Sequence, residues 1–138
     1  MAKLVEIKTR QSEASVMDFL NNIEDEKKRL DSLEIYKLMS EITKEEGKIW
    51  GDSIIGFKNF IVSSPSGREV EWFRLGFSPR KNYISLYLNL ELQTPEINKV
   101  AKQLGKVKLG RGCINFNKLE TLNKEVLNQL IEMSLREN

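Results

Sequence analysis

The segment of this chain best suited to binding chemistry is a basic stretch interrupted by glycines. It runs Gly105-Lys106-Val107-Lys108-Leu109-Gly110-Arg111-Gly112. Glycines let backbone N–H groups approach a ligand, and Lys and Arg side chains neutralise phosphate or carboxylate. It is not a Walker A loop, because Gly110 is followed by Arg-Gly rather than Lys and Ser or Thr. Two interpretations remain open: an anion site made by Lys106, Lys108 and Arg111, or a tight turn with solvated cations.

A second candidate group combines an aromatic residue with polar and basic ones. Trp50 and Ser53 come just before the first of three predicted strands, and Arg80 and Lys81 come just after the second. If these strands pair antiparallel in sequence order, the four residues lie nearer one another than the sequence suggests. One interpretation is a small anion bound over the Trp50 indole. The other is that Trp50 belongs to the core and the two cations are solvated.

A third candidate is the acidic run Glu24, Asp25 and Glu26, followed along the same predicted helix by Asp31. Clustered carboxylate oxygens are the ligands that hard cations prefer. Lysine and arginine residues are interleaved with these acids, however, and such a mixed helix surface is typical of a solvated face. We therefore treat metal binding by this group as the weaker interpretation.

The absence of histidine excludes several classes of site. Ser-His-Asp and Cys-His catalysis, zinc sites of the Cys/His kind and the 2-His-1-carboxylate iron site all require an imidazole. The single cysteine, Cys113, cannot form a disulfide within the chain and is interpreted as a buried, inert thiol. An enzyme is consequently the least favoured functional class.

Composition indicates one globular domain. The chain has 138 residues, of which 40% are hydrophobic and 30% charged. A formal net charge of +2 is too small to attract nucleic acid or anionic lipid by itself. No apolar run approaches the roughly 20 residues of a membrane span, and the first residues lack a signal-peptide core. We expect a cytoplasmic protein that binds neither nucleic acid nor membrane, and the oligomeric state stays open.

Hydrophobic periodicity predicts the sheet that positions these residues. Residues 54–62, 69–77 and 83–90 have the character of strands, and turn-forming residues separate them. In the third segment aliphatic residues alternate with polar or aromatic ones, which places the aliphatic set on one face. The pattern predicts an antiparallel three-strand meander, with a further short strand at 113–116.

Helical patterns occur on both sides of the meander. They are predicted at 16–23, at 26–46, from the Thr94-Pro95 cap to Gly105, and from Asn123 onward. A sheet with one apolar face must be covered. We therefore predict an α+β fold with N- and C-terminal helices packed mainly on one face of the sheet. Residues 1–11 are expected to be a loosely ordered tail, and residues 12–138 a single domain.

Three phrases resemble the YdhG-like family of domains of unknown function. They are Trp50-Gly51-Asp52-Ser53-Ile54-Ile55-Gly56-Phe57, the two turns Ser66-Gly67-Arg68-Glu69 and Gly76-Phe77-Ser78-Pro79-Arg80-Lys81, and Leu104-Gly105-Lys106-Val107-Lys108. The resemblance covers roughly residues 15–135 and implies a small intracellular α+β protein. The chain departs from that pattern at Val107, where the family usually has His. Some members are likened to frataxin and to iron chaperones, which implies iron binding by helix carboxylates.

The favoured function is a non-catalytic binding module for a small anionic ligand or a partner protein. The candidate ligand-binding residues are Trp50, Ser53, Arg80, Lys81, Lys106, Lys108 and Arg111. The alternative is a frataxin-like iron-binding protein that uses Glu24, Asp25 and Glu26.

Overall fold

The computed structural model describes residues 11–12, 15–51, 53–63, 65–110 and 112–136. The strands are β1 (Gln11–Ser12), β2 (Lys48–Trp50), β3 (Ile54–Ser63), β4 (Glu69–Pro79), β5 (Ile84–Tyr87), β6 (Lys108–Leu109) and β7 (Ile114–Phe116). The helices are α1 (Val16–Asn21), α2 (Glu26–Thr43), α3 (Pro95–Lys102) and α4 (Lys124–Arg136), with a 3₁₀ turn at Leu119–Thr121. The predicted boundary between tail and domain falls inside β1, and residues 1–10 of the predicted tail lie outside the described residues.

The described strands form one antiparallel sheet in the order β1-β2-β3-β4-β5-β7-β6. The predicted meander is confirmed: β3 pairs with β4 and β4 with β5. One hairpin closes where Ser63 pairs with Glu69, and the other closes where Pro79 pairs with Ile84. The two turns therefore lie at opposite ends of the sheet.

The third strand of the meander is shorter than its alternation predicts. Leu88 and Leu90 are buried as the pattern requires, but β5 ends at Tyr87. Asn89 has a φ of 52°, in the left-handed region that breaks an extended strand. Its side-chain amide donates to the carbonyl oxygens of Phe73 and Arg74, at 2.9 and 2.6 Å. These bonds satisfy two carbonyls of β4 beyond the end of β5.

Helices from both ends of the chain cover the sheet, as predicted. Helix α2 packs on β3 and β4, and α4 packs on β4. The Asp25 carboxylate caps α2 by accepting the Lys28 N–H at 2.7 Å. The helix ends at Thr43 rather than at residue 46, because Lys44 adopts a left-handed conformation, with φ 60°, at its C-terminus. No helix in the described part of the chain is long and apolar enough to cross a bilayer.

The buried residues of the sheet form two groups. The helix-covered face carries the hydrophobic core, which includes Ile49, Ile55, Leu75, Phe77, Ile84, Leu86 and Ile114. A separate aromatic cluster, which we define as Trp50, Trp72, Phe73 and Tyr87, packs around the consecutive residues Trp72 and Phe73, whose rings stack. Gly56 makes room for it, because a Cβ there would lie 2.6 Å from the Cβ of Phe73.

A buried carboxylate joins α2 to the segment that leads into α4. Asp31 is 3% exposed, and its Oδ2 accepts the backbone N–H of Leu119 at 3.1 Å. Its Oδ1 accepts from Lys27 Nζ at 2.9 Å. Lys27 also pairs with Glu120, and this bond lowers the pKa of the Glu120 carboxyl. Asp31 is therefore a structural residue and not part of a solvated acidic face.

Candidate functional site

A groove of about 760 Å³ lies between the β4–β5 turn and the segment that enters β6. Its lining residues come from three places: the turn, the β6 segment, and the paired strand β7. They are Asn82, Tyr83, Lys106, Val107, Lys108, Asn115, Phe116 and Asn117. Asn115 lies between the core residues Ile114 and Phe116, so alternation directs its side chain to the face opposite the helices.

The β4–β5 turn is held in place from within and from α2. The backbone N–H of Arg80 donates to the carbonyl of Tyr83 at 2.7 Å, which closes the hairpin. The ammonium group of Lys28 donates to the carbonyl oxygens of both Arg80 and Lys81. Because Lys28 belongs to the first turn of α2, the position of this groove wall is tied to the helical layer.

A second hairpin forms the opposite wall. Lys108 pairs with Asn115, and the backbone N–H of Gly110 donates to the carbonyl of Cys113 at 2.8 Å. A Cβ on Gly110 would lie 2.9 Å from the Sγ of Cys113, so a larger residue there would displace the Cys113 side chain. Cys113, predicted to be buried, is half-buried. The hairpin brings Lys106 and Lys108 to the same groove.

The groove presents cationic donors beside side-chain amides. Lys106 and Lys108 are exposed, and none of the eight residues shown to line the groove is acidic. The Oδ1 of Asn115 accepts from Ser85 Oγ at 2.6 Å. This bond orients the amide and leaves its Nδ2 as a donor without a hydrogen-bond partner in the described part of the chain. Two cations and an oriented amide nitrogen are suited to an anion.

Arg80 and Lys81 lie beside the groove rather than in its lining. The Arg80 guanidinium donates to the Tyr87 hydroxyl at 3.0 Å, and this bond raises the pKa of Arg80 above its ordinary value. Tyr83 and Cys113 are close enough to contribute to the same shift. Arg80 therefore stays cationic and adds positive potential at the border of the groove. Lys81 is exposed in the turn.

Neither Trp50 nor Ser53 is among the residues shown to line the groove. Trp50 is fully buried in the aromatic cluster, with ring centroids 6.0 Å from Trp72 and 5.6 Å from Phe73. The hydroxyl of Ser53 lies 3.0 Å from that of Ser78, and Ser78 Oγ also donates to the carbonyl of Ser53. Both residues therefore hold β2, β3 and β4 together. Arg111 lies outside the described residues.

Four polar groove residues were not among the sequence candidates: Asn82, Tyr83, Asn115 and Asn117. For Asn82 and Tyr83 the sequence gives only one indication, which is that they directly follow the candidates Arg80 and Lys81 in a turn. Asn115 was signalled by the alternation Ile114-Asn115-Phe116, which places one polar side chain on the face away from the core.

The acidic residues at the start of α2 serve first as helix-capping groups. Asp25 is the N-cap, and Glu26 lies in the first turn, where a negative charge is favourable to the helix dipole. In the part of the chain that the structure describes, no three Asp, Glu or Cys side chains are grouped so as to hold a metal ion. Iron binding by Glu24, Asp25 and Glu26 stays a prediction.

No protein family, curated protein or solved structure matches this chain. The resemblance to the YdhG-like family accordingly stays a prediction. The functional argument depends on the geometry of the groove.

Proposed function

We propose that this protein binds a small anionic ligand in the groove between the β4–β5 turn and β6. The observation that carries the proposal is the convergence of Lys106, Lys108 and the amide nitrogen of Asn115 on a cavity whose described lining residues include no acid. Hydrogen bonds from cations to phosphate or carboxylate oxygens are the stronger kind in proteins. Arg80 and Lys81 at the border add to the attraction during approach.

The size of the groove favours a small molecule over a protein surface. Its volume of about 760 Å³ lies within the roughly 300–1,000 Å³ of typical small-molecule sites. Half-buried Val107 and the exposed ring of Tyr83 supply apolar contact beside the donors. A partner protein that presents a carboxylate or phosphate group is the alternative occupant, and it would use the same donors.

Reversing both groove charges is expected to abolish most of the affinity. In the variant Lys106→Glu/Lys108→Glu, we expect pyrophosphate to bind at least about 100-fold more weakly, because two charge-assisted hydrogen bonds of about 1.5–3 kcal/mol each are lost. Isothermal titration calorimetry at about 0.15 M salt, where distant charges are screened, measures the effect directly. Native affinity should also fall as salt is added.

The matched control changes the same number of charges elsewhere. Lys37 on α2 and Lys48 on β2 are both exposed and outside the groove. The variant Lys37→Glu/Lys48→Glu should bind pyrophosphate within about two- to three-fold of the native protein, since distant exposed charges are largely screened. An equal loss in both variants would mean that net charge, and not the groove, governs binding. Unchanged affinity in the groove variant would refute the proposed site.

A further inference from the structure

We infer that the anion is a nucleoside phosphate, with its base on the ring of Tyr83 and its phosphate at Lys106 and Lys108. This inference rests on the proposed function and narrows it to one class of ligand. It is argued from the parts of the groove that an anion alone would not use: an exposed aromatic ring, two further amides, and most of the volume.

Tyr83 offers an exposed aromatic ring. It is 38% exposed and lines the groove. Its carbonyl is fixed by the N–H of Arg80, and the next residue, Ile84, is fully buried as the first residue of β5. The phenol hydroxyl makes no hydrogen bond within the described residues. Aromatic side chains stack on nucleobases of any type, because every base has a π face.

The remaining amides suit the edge of a base. Asn82 and Asn117 line the groove and are exposed, and each offers both a donor and an acceptor. Base edges and ribose hydroxyls present the same mixture of groups, whereas a bare phosphate presents acceptors almost exclusively. An inorganic phosphate or a small dicarboxylate would also fill only a fraction of about 760 Å³. The lining of the groove therefore suits a ligand with an anionic group at one end and a flat ring with polar edges at the other.

The test compares AMP with ribose 5-phosphate, which has the same sugar and phosphate but a hydroxyl where AMP carries adenine. The ratio of their affinities therefore reports the contribution of the base. We expect native protein to bind AMP at least about five-fold more tightly, since stacking on an aromatic side chain is commonly worth at least that factor. The affinity for both ligands, measured by titration calorimetry, should fall in Lys106→Glu/Lys108→Glu.

Substitutions of Tyr83 locate the preference. In Tyr83→Leu we expect the affinity for AMP to fall to that for ribose 5-phosphate. The affinity for ribose 5-phosphate should not change. Tyr83→Phe keeps the ring and should keep the preference for AMP.

Several outcomes would overturn the inference. Equal native affinities for AMP and ribose 5-phosphate, both lost on charge reversal, would overturn the nucleoside phosphate while sustaining an anion site. A preference for AMP that survives in Tyr83→Leu would overturn the assigned base position. A penta-adenylate that binds much more tightly than AMP would assign the groove to single-stranded nucleic acid instead. Failure of AMP, ribose 5-phosphate and pyrophosphate alike would overturn both this inference and the proposed function.

Discussion

Replacing Trp50 by alanine is expected to lower the free energy of unfolding by about 3–5 kcal/mol, the usual cost of deleting a large buried aromatic side chain. Trp50 is fully buried, and its indole packs edge-on against Trp72 and Phe73. Removing it leaves a cavity beside the rings of Trp72 and Phe73. Equilibrium urea unfolding followed by circular dichroism measures the loss.

A conservative variant and a binding measurement separate the structural role of Trp50 from a ligand-binding role. Trp50→Phe keeps a ring and removes a buried indole N–H that lacks a partner within the described residues, so it should cost much less than Trp50→Ala. Folded Trp50→Phe should bind pyrophosphate as the native protein does. A stability loss below about 1 kcal/mol in Trp50→Ala, or lost pyrophosphate affinity in Trp50→Phe, would contradict the placement of Trp50.

Replacing Asp31 by alanine is expected to destabilise the protein by about 2–4 kcal/mol, the usual cost of breaking a buried charge-assisted hydrogen bond and orphaning its donor. The change removes a charge-assisted hydrogen bond to the Leu119 N–H and leaves that buried donor without an acceptor. It also removes the bond from Lys27, which lies on the same helix four residues earlier. Thermal and urea unfolding should both report the loss.

The neighbouring residue Glu34 provides the control for Asp31. Its carboxylate pairs with Lys124 at 2.6 Å and likewise bridges α2 to the C-terminal region, but both side chains are more than half exposed. Exposed ion pairs contribute about 0–1 kcal/mol, so Glu34→Ala should be nearly neutral. Equal losses in Asp31→Ala and Glu34→Ala would show that burial of Asp31 does not matter to the fold.

Local patterns were sufficient to predict the meander and the helices. The strand-type residues over 54–62 and 69–77, bounded by turn signals, match β3 and β4 closely. The alternation in the third segment over-predicted its strand, since Leu88 and Leu90 are buried without belonging to β5. The third strand ends early because Asn89 adopts a left-handed conformation. The two carbonyl groups that its side chain bonds belong to residues 15 and 16 positions earlier in the chain. Asp31 was likewise misjudged, because its acceptor role depends on Leu119, 88 residues later.

The candidate site was predicted only in part, for the same reason. Lys106 and Lys108 were identifiable because cations and glycines are adjacent in sequence. Their neighbours across the groove were not, because β5 pairs with β7 and not with the next strand in the chain. That pairing is what brings Asn82 and Tyr83 opposite the β6 segment. Trp50 was grouped with the cations from strand order, which places residues along the sheet but does not reveal on which face, or how deeply, a side chain is buried.

The most direct test of the anion site is a titration of ¹⁵N-labelled protein with pyrophosphate, followed by NMR. We predict saturable shifts concentrated in the backbone amides of residues 82–83, 106–108 and 115–117 and in the side-chain amide of Asn115. Amides at the start of α2, residues 24–26, should not move. Shifts that fail to saturate, or that map to a different surface, would contradict the assignment of this groove as the binding site.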